Sequence, residues 1–233
     1  MIGLRIRTLL GGMLLAGGLV SGSWADSAPE AFSQQRLDAF GAAMAEEVQQ
    51  GRIAGIATLV YQHGEVVQRG QYGFADREQG KPLTPDSLYK IFSLTKLVTG
   101  TALLTLYDEG RFELDEPVGK YIPELQNLQV AIADGPDGMP ETEPAAHPVT
   151  IRELMTHTGG FTYGRFGDTQ VDQLYVKADI QNPDSTFADM MAKLQHIPLL
   201  YQPGTVWNYS ISVDIQAYLV EVLSGKSFDV YLQ

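Results

Sequence analysis

The sequence of 233 residues contains no cysteine, and this absence removes several kinds of chemistry at once. Disulfides, thiolate metal sites and cysteine nucleophiles are all excluded. The four histidines are isolated, and none shows the His-x-x-x-His spacing that two metal ligands on one helix face require. We therefore expect neither a metal nor another cofactor.

Positive charge is also scarce. Lysine and arginine total 16 against 28 acidic residues, which gives a formal net charge of -12 at pH 7. A chain this acidic, without a basic cluster, is a poor candidate for binding nucleic acid or an anionic membrane surface. We expect a small or neutral substrate and no nucleic-acid partner, and the sequence does not indicate an oligomeric state.

No apolar run reaches the roughly 20 residues that a membrane-spanning helix needs. The run at 9–20 follows two arginines and precedes a small-x-small pattern at 23–25. This order is typical of a secretory signal that is cleaved, and it is less typical of a retained anchor. We predict a signal peptide over 1–25, a mature domain over 26–233 without an integral membrane segment, and export to the periplasm or beyond.

Apolar spacing and turn residues place most of the elements. A helix is predicted from Ser33 to Gly51, followed by a β-hairpin that turns at His63-Gly64. The later predictions are a polar connection over 76–83, a surface excursion over 126–149, an irregular wall or lid over 161–182, and helices over 151–155, 184–194 and 213–223.

Ser93 and Lys96 lie three residues apart, at the start of an apolar segment. On a helix this spacing places both side chains on one face about a turn apart, so the amine can reach the hydroxyl. Serine needs a neighbour that takes its proton, and lysine can do so if burial lowers its pKa. Residues 97–107 are apolar all round, which predicts a helix buried on every face. Ser93 and Lys96 are therefore candidates for a nucleophile and its base.

The Ser-x-x-Lys pattern alone is a weak signal, because it occurs twice in this chain. Ser87 and Lys90 form the second copy. Ser87 follows Thr84-Pro85-Asp86, so we interpret it as a residue that starts a turn or helix, and we place the chemistry at Ser93.

Four segments in order raise the specificity of this interpretation. Residues 88–96, 106–118, 154–160 and 202–210 together resemble the β-lactamase-related serine hydrolases. That family contains class C β-lactamases, D-alanyl-D-alanine peptidases and family VIII carboxylesterases. The resemblance covers nearly all of residues 35–233.

The resemblance implies an α+β fold, in which an antiparallel sheet is flanked by helices and adjoins an all-helical region, with the site between them. It also implies acyl transfer, with Ser93 as nucleophile, Lys96 as its base and Tyr209 as the phenol that relays the proton. The Ser93 backbone N–H would be one oxyanion donor. Family members are longer and carry a third motif with no counterpart here, so we expect the sheet to be incomplete in this chain.

One departure from the family pattern bears on the substrate. Position 211 is Ile, where lactamases and peptidases have the asparagine of a Tyr-x-Asn motif. This favours an esterase that cleaves small carboxylic esters through an acyl-enzyme. The alternatives are a β-lactamase or D-alanyl-D-alanine carboxypeptidase, acting on β-lactams or peptidoglycan, and a truncated non-catalytic homologue.

Two further questions stay open at the level of sequence. His157 could belong to a Ser-His-Asp triad, but its place between two threonines before a double glycine favours a role in fixing the loop. The Gly-x-Ser-x-Gly elbow of α/β-hydrolases is absent. Tyr163, Phe166 and Trp207 fit either an acyl pocket or core packing.

Overall fold

The computed structural model describes residues 32–233, so the predicted signal peptide at 1–25 lies outside the described residues. The chain divides into two compact units, one ending at Tyr89 and the other comprising Lys90–Gln233. Within the described residues, no helix combines the length and apolar character needed to cross a bilayer. The single hydrolase domain over 26–233 stays a prediction.

The first unit contains a helix and a small antiparallel sheet. Helix α1 spans Gln34–Gln49, and Ser33 precedes it as predicted. Strand β1 spans Gly55–Gln62, β2 spans Glu65–Asp76 and β3 spans Lys81–Pro82, in the order β1-β2-β3. The predicted hairpin is therefore present. The short strand β3 lies inside the segment predicted to be only a connection, which corrects that prediction.

Positive φ angles set the hairpin turn and the close approach of β2 to Ala54, the residue before β1. His63 and Gly64 have φ values of 53° and 83°, the combination that a two-residue hairpin turn requires. Gly73 in β2 has φ 81°, and a Cβ atom there would lie 2.4 Å from the carbonyl oxygen of Ala54. Only glycine fits this position, because both the conformation and the space exclude a side chain.

The second unit is mainly helical. Its helices are α2 (Thr95–Asp108), α3 (Ile151–Met155), α4 (Gln170–Lys177), α5 (Phe187–Leu194), α6 (Ser212–Ser224) and α7 (Phe228–Tyr231). Helix α6 packs against α2, α3, α5 and α7. Leu103 of α2, Leu154 of α3, Met191 of α5 and Leu219 of α6 are fully buried in one shared core. The mixed α+β class is confirmed.

Local signals set several helix ends correctly. Thr150 accepts a hydrogen bond from the Glu153 backbone, and the Glu153 side chain bonds back to Thr150, which forms a capping box at the start of α3. Gly225 adopts a left-handed conformation with φ 71° and ends α6. Helix α3 has the predicted bounds, 151–155. Helix α6 extends one residue beyond the predicted 213–223 at each end.

The prediction that α2 is buried on every face is wrong for the described residues. Thr99, Leu103 and Leu106 are buried, whereas the side chains of Leu97 and Leu104 are 71% and 41% exposed. An apolar sequence creates a buried face only where another element packs against it. Within the described chain, α2 has such a partner on the side that faces α6.

Two irregular segments contain regular structure that the sequence prediction missed. Residues 126–149 include an antiparallel hairpin of β4 (Gln129–Ala133) and β5 (Glu141–Pro144), and Val130 in β4 is buried. Residues 161–182 include α4, which a Thr169 capping box starts. Helix α5 begins at Phe187, later than the predicted start at 184.

Candidate functional site

The hydroxyl of Ser93 lies at the turn that leads into α2. Ser93 is the middle residue of a 3-10 turn over Phe92–Leu94, directly before Thr95. Phe92 has φ 46°, a left-handed conformation that is rare for a bulky residue and costs about 1–3 kcal/mol. Such strain is often found beside reactive groups, because it fixes the direction of the next side chain.

The amine of Lys96 points at this hydroxyl. Its Nζ atom lies 3.4 Å from Ser93 Oγ, so the predicted contact across one turn is present. Partial burial by itself lowers the pKa of Lys96, but hydrogen bonds to the phenol oxygens of Tyr209 and Tyr163 outweigh burial, and the pKa is raised. The expectation of a lowered lysine pKa is therefore wrong in sign, because phenol oxygens stabilise the charged amine.

The phenol of Tyr209, which lies 116 positions after Ser93 in the chain, completes the cluster. Its oxygen lies 2.8 Å from Ser93 Oγ. Lys96 Nζ is 4.8 Å from the centre of the Tyr209 ring. The hydrogen bond with Lys96, followed by that with Ser93, lowers the pKa of Tyr209. The structure thus brings together all three residues that the sequence singles out. The phenol oxygen lies closer to Ser93 Oγ than Lys96 Nζ does.

Hydrogen bonds to neighbouring loops hold Tyr209 in place. The backbone N–H of Asn208 donates to the carbonyl of His157 over 2.8 Å, and its side-chain amide donates to the carbonyl of Phe161 over 2.8 Å. Gly204 N–H donates to the carbonyl of Thr158 over 2.8 Å. The loop around the double glycine at 159–160 and the loop with Tyr209 therefore form one bonded layer, which fixes the phenol.

His157 contributes to this layer, and the serine that its ring contacts is Ser210 and not Ser93. Its Nδ1 accepts a hydrogen bond from the Ser210 backbone N–H over 3.2 Å, and Ser210 Oγ lies at the same distance. Since Nδ1 accepts, the neutral ring carries its proton on Nε2. Burial, and then the charge of Lys96, lower the pKa of His157. These contacts fit the predicted role in fixing the loop.

Two residues that the sequence analysis did not assign to the site also lie around Lys96. The Tyr163 ring packs against the Tyr209 ring, with 5.3 Å between their centres and a tilt of 31°, and Lys96 Nζ lies 5.5 Å from the centre of the Tyr163 ring. Burial raises the pKa of Asp214 in the first turn of α6, against the opposing charge of Lys96. An acid in the first turn of a largely apolar helix was a possible signal for Asp214, whereas Tyr163 lies in a segment without periodicity.

Ile211 occupies the motif position but does not face the cluster. Its side chain is 0% exposed and belongs to the core of the second unit. Its backbone N–H donates to the carbonyl of Thr162 over 3.4 Å. Position 211 is therefore a packing residue in this chain. Besides Tyr209, the group that bonds Lys96 is the phenol of Tyr163.

The described residues hold no group of three or more His, Asp or Glu side chains placed to bind a metal ion. The ionisable groups of the site are instead the amine of Lys96, the phenols of Tyr209 and Tyr163, and the half-buried carboxylate of Asp214. A cation next to a phenol favours the ionised phenol, so a larger fraction of that phenol is able to accept a proton near neutral pH.

Comparison with known proteins places this cluster in a family. The Beta-lactamase family model matches residues 40–233, so the chain belongs to the beta-lactamase family of serine hydrolases. Esterase EstB of Burkholderia gladioli is 34% identical over 194 residues, which cover 82% of this chain and 45% of EstB. The chain therefore spans about half the length of the relatives it matches.

Solved structures agree with the fold. EstCE1, described as a hydrolase with promiscuous acyltransferase activity, is 25% identical with a TM-score of 0.71, covering 85% of this chain and 50% of EstCE1. Unliganded simvastatin synthase LovD from Aspergillus terreus has a TM-score of 0.73 at 23% identity, covering 86% of this chain and 52% of LovD. The second likeness concerns the fold alone.

Proposed function

We propose that this protein hydrolyses small carboxylic esters through an acyl-enzyme on Ser93. One observation carries the proposal: the Ser93 hydroxyl lies 2.8 Å from a phenol whose pKa is lowered by a neighbouring amine. A serine with an adjacent proton acceptor, which a third group orients, is the arrangement that nucleophilic catalysis requires. Similarity to EstB supports an ester as the substrate.

Acylation uses Tyr209 as the immediate proton acceptor. As Ser93 Oγ attacks the ester carbonyl carbon, its proton moves to the ionised phenol of Tyr209, and the carbonyl oxygen becomes an oxyanion. The oxyanion collapses, the bond to the alcohol oxygen breaks, and Tyr209 returns the proton to that oxygen. Lys96 stays charged and holds the phenol in its ionised form. The Ser93 N–H is our proposed donor to the oxyanion.

Deacylation repeats these steps with water as the nucleophile. Water gives a proton to Tyr209 and attacks the acyl carbon, and Tyr209 then protonates Ser93 Oγ as it leaves. The same phenol serves both half-reactions because it touches the serine oxygen directly, whereas Lys96 Nζ lies 3.4 Å from it.

The position of Ile211 favours esters over β-lactams and peptides. In the related lactamases and peptidases an asparagine at this position binds an amide of the substrate, but Ile211 is buried in the core. An ester has no amide group for such an asparagine to bind. Covalent labelling by a fluorescent penicillin under conditions that leave esters intact would favour the β-lactamase or peptidase alternative.

A p-nitrophenyl butyrate assay with Ser93→Ala tests the proposal. We expect the substitution to remove at least about 10³-fold of kcat/KM. Ser87→Ala is the matched control, because Ser87 belongs to the other Ser-x-x-Lys pair and lies in a turn with Thr84. A fluorophosphonate should add mass to the wild type and to Ser87→Ala, but not to Ser93→Ala.

A different result would support the non-catalytic alternative. If neither wild-type protein nor Ser87→Ala hydrolyses the ester or takes up the fluorophosphonate, a folded chain without activity is the better description. Retained activity in Ser93→Ala would assign the chemistry to another group.

We also propose export, on the basis of the signal pattern at 1–25. Intact-mass measurement of the secreted protein would test it, and we expect the mass of a chain that begins at Asp26.

A further inference from the structure

A cavity of about 260 Å³ is lined by the first turn of α6, by α5 and by the segment before α5. Asp214 is the only charged residue among the described residues that line it. The rest of the lining is neutral and includes Ile180, Phe187 and Met190, which are apolar, and Gln181 and Ser185, which are polar. We call this space the Asp214 cavity. Its lining combines one anionic group with an apolar wall.

The carboxylate of Asp214 has no partner from another residue in the part of the chain that the structure describes. The ion pairs found there all involve other acids, and the hydrogen bond that this carboxylate receives comes from its own backbone N–H. The side chain is half-buried, so its charge is partly removed from water. The positive end of the α6 dipole offsets this cost only in part. A cation that entered the cavity would supply the missing partner.

Lys96 does not fill this role. Its charge acts on Asp214, but its Nζ is not within ion-pair distance of the carboxylate. The hydrogen bonds of the amine go instead to Ser93 and to the phenols of Tyr209 and Tyr163. The carboxylate therefore stays available to a ligand on the side of the cavity.

The lining defines the chemical class of such a ligand. No lysine or arginine lines this part of the described chain, so an anion would meet only the negative charge of Asp214. A primary ammonium carries three N–H donors, which suit a carboxylate that lacks them, and an alkyl chain suits the apolar wall. A chain of four carbons with its nitrogen needs roughly 150 Å³, at about 30 Å³ for each non-hydrogen atom, and the cavity is larger than this. The net charge of -12 also attracts cations.

The charge of Asp214 reaches the reacting groups as well. It raises the pKa of Tyr209 and of Tyr163, although the hydrogen bond with Lys96 leaves the pKa of Tyr209 lowered as a whole. A cation beside Asp214 offsets this negative charge, so a larger fraction of Tyr209 is ionised near neutral pH. Lys96 stays charged there because its pKa is raised. The consequence for the rate rests on the proposed function, in which ionised Tyr209 accepts the proton of Ser93.

We propose that the Asp214 cavity binds small primary alkylammonium ions, and that an ion bound there accelerates ester hydrolysis at Ser93. The ammonium pairs with the Asp214 carboxylate, and its alkyl chain packs against the apolar wall that includes Phe187 and Met190. The ion is neither substrate nor product, and no bond to it forms or breaks. It acts only through its charge.

Titration calorimetry of the full chain with n-butylammonium chloride tests the binding step, at about pH 8 and constant ionic strength. Butan-1-ol is the matched neutral ligand, because it has the same chain with a hydroxyl in place of the ammonium. We expect a dissociation constant below about 10 mM for the cation, and binding at least about tenfold weaker for the alcohol. Ser93→Ala should bind the cation as wild type does, because Ser93 does not line the cavity.

Three variants locate the site. Asp214→Asn keeps the size of the side chain but removes its charge, and it should weaken binding at least about tenfold. Ser185→Leu fills the cavity and leaves the carboxylate in place, so it should weaken binding by a similar factor without depending on the fold of the first variant. Asp184→Asn is the matched control, because it removes the same charge from the segment before α5 at a residue that does not line the cavity. Its affinity should stay within about twofold of wild type.

Hydrolysis of ethyl butyrate, measured between about pH 6 and 9, tests the coupling to Ser93. At about pH 7, saturating n-butylammonium should raise kcat/KM about two- to fivefold relative to an equal concentration of sodium chloride, and it should move the rising limb to lower pH. Asp184→Asn should respond as wild type does. Asp214→Asn should show no response.

Equal affinity for the cation and the alcohol would identify a purely apolar recess and overturn the proposal. Asp214→Asn or Ser185→Leu protein that binds as tightly as wild type would also overturn it. Saturable binding without a change in rate would refute the coupling to Ser93. Failure of the proposed function gives a different result, because hydrolysis would then persist in Ser93→Ala while n-butylammonium still bound to that variant.

Discussion

Ser93 Oγ and the phenol oxygen of Tyr209 lie 2.8 Å apart although the two residues are 116 positions apart in the sequence. The contact depends on two rigid supports, the start of α2 on one side and the loop before α6 on the other. Since α2 packs against α6 in the core, both supports belong to one body. The geometry of the pair is thus a consequence of helix packing and does not require substrate.

Removing the phenol hydroxyl should abolish most activity without loosening the fold. Tyr209→Phe keeps the ring and its contacts with Tyr163 and Trp207, but it leaves Ser93 without an immediate proton acceptor. We expect kcat/KM for p-nitrophenyl butyrate to fall by about 10²–10⁴. The melting temperature should stay near that of wild type. A loss below about fivefold would show that Lys96 accepts the proton directly.

The charge of Lys96 should set the pH range of activity. The hydrogen bond with Lys96 is the main cause that lowers the pKa of Tyr209 below its ordinary value of 10. Activity should therefore rise with pH as the phenol ionises, at a pH below 10. Lys96→Met removes this cause, so the rising limb should move to higher pH, with a smaller kcat/KM throughout.

A pH profile of kcat/KM between about pH 6 and 10 measures this shift. Lys96→Arg keeps a cation and should hold the limb nearer its wild-type position. Lys90→Met, in the other Ser-x-x-Lys pair, is the matched control and should leave the profile unchanged. Should the limb move to lower pH in Lys96→Met, the amine and not the phenol would be the titrating base.

The sequence was sufficient for the elements with local signals and for singling out three side chains, Ser93, Lys96 and Tyr209, that lie together in the structure. The cap at Thr150 and the turn at His63-Gly64 depend on neighbouring residues, so they were predictable. The exposure of α2 depends on which elements pack against Leu97 and Leu104, and no local pattern contains that information. The raised pKa of Lys96 reflects hydrogen bonds with both Tyr209 and Tyr163, and only the tertiary fold reveals that Tyr163 lies beside the amine.

Tyr163 should act as a positioning residue for Lys96. Tyr163→Phe keeps the ring packed against Tyr209 but removes one hydrogen-bond partner of the amine. Because that partner stabilises charged Lys96, its loss should lower the pKa of Lys96. We expect activity to fall at alkaline pH when Lys96 loses the charge that holds the Tyr209 phenolate in place, and this fall should appear at lower pH in Tyr163→Phe. We expect kcat/KM to decrease about tenfold, as for a hydrogen bond to a charged group.

Tyr201→Phe, which removes a phenol hydroxyl elsewhere on the surface, is the control for this measurement. It should leave both kcat/KM and the alkaline limb at their wild-type values. If Tyr163→Phe loses activity without any change in the pH profile, its role is to pack the site and not to hold the charge of Lys96.

Restoring the motif asparagine should damage the fold and should not create a β-lactamase. Ile211 is 0% exposed in the core, so Ile211→Asn replaces a buried apolar side chain with a polar amide. We expect the free energy of unfolding to fall by about 3–5 kcal/mol. Ile211→Val, which removes one methyl group, should cost about 1 kcal/mol.

Urea unfolding of the three proteins gives these differences, and nitrocefin turnover reports the second part of the prediction. An Ile211→Asn protein that is as stable as wild type and gains nitrocefin hydrolysis would contradict it. Position 211 would then face the site in solution.

His157 should affect acid stability more than it affects the reaction. Burial lowers its pKa from the ordinary 6.5, so the unfolded chain takes up a proton first as the pH falls. Its contribution to stability is therefore complete above about pH 6.5 and is lost as the pH falls toward the folded-state value. His157→Gln cannot titrate, and its unfolding free energy should change less between about pH 7 and 5.

The same variant separates a structural histidine from a triad histidine. His157 bonds to Ser210 through Nδ1, so its loss loosens the layer that carries Tyr209 and should lower kcat/KM by about tenfold. A triad base would instead cost about 10³-fold or more and would remove a kinetic limb near pH 6 to 7. Urea unfolding across this range, together with kcat/KM at each pH, decides between them, because only a structural histidine changes the slope of stability while leaving the kinetic profile in place.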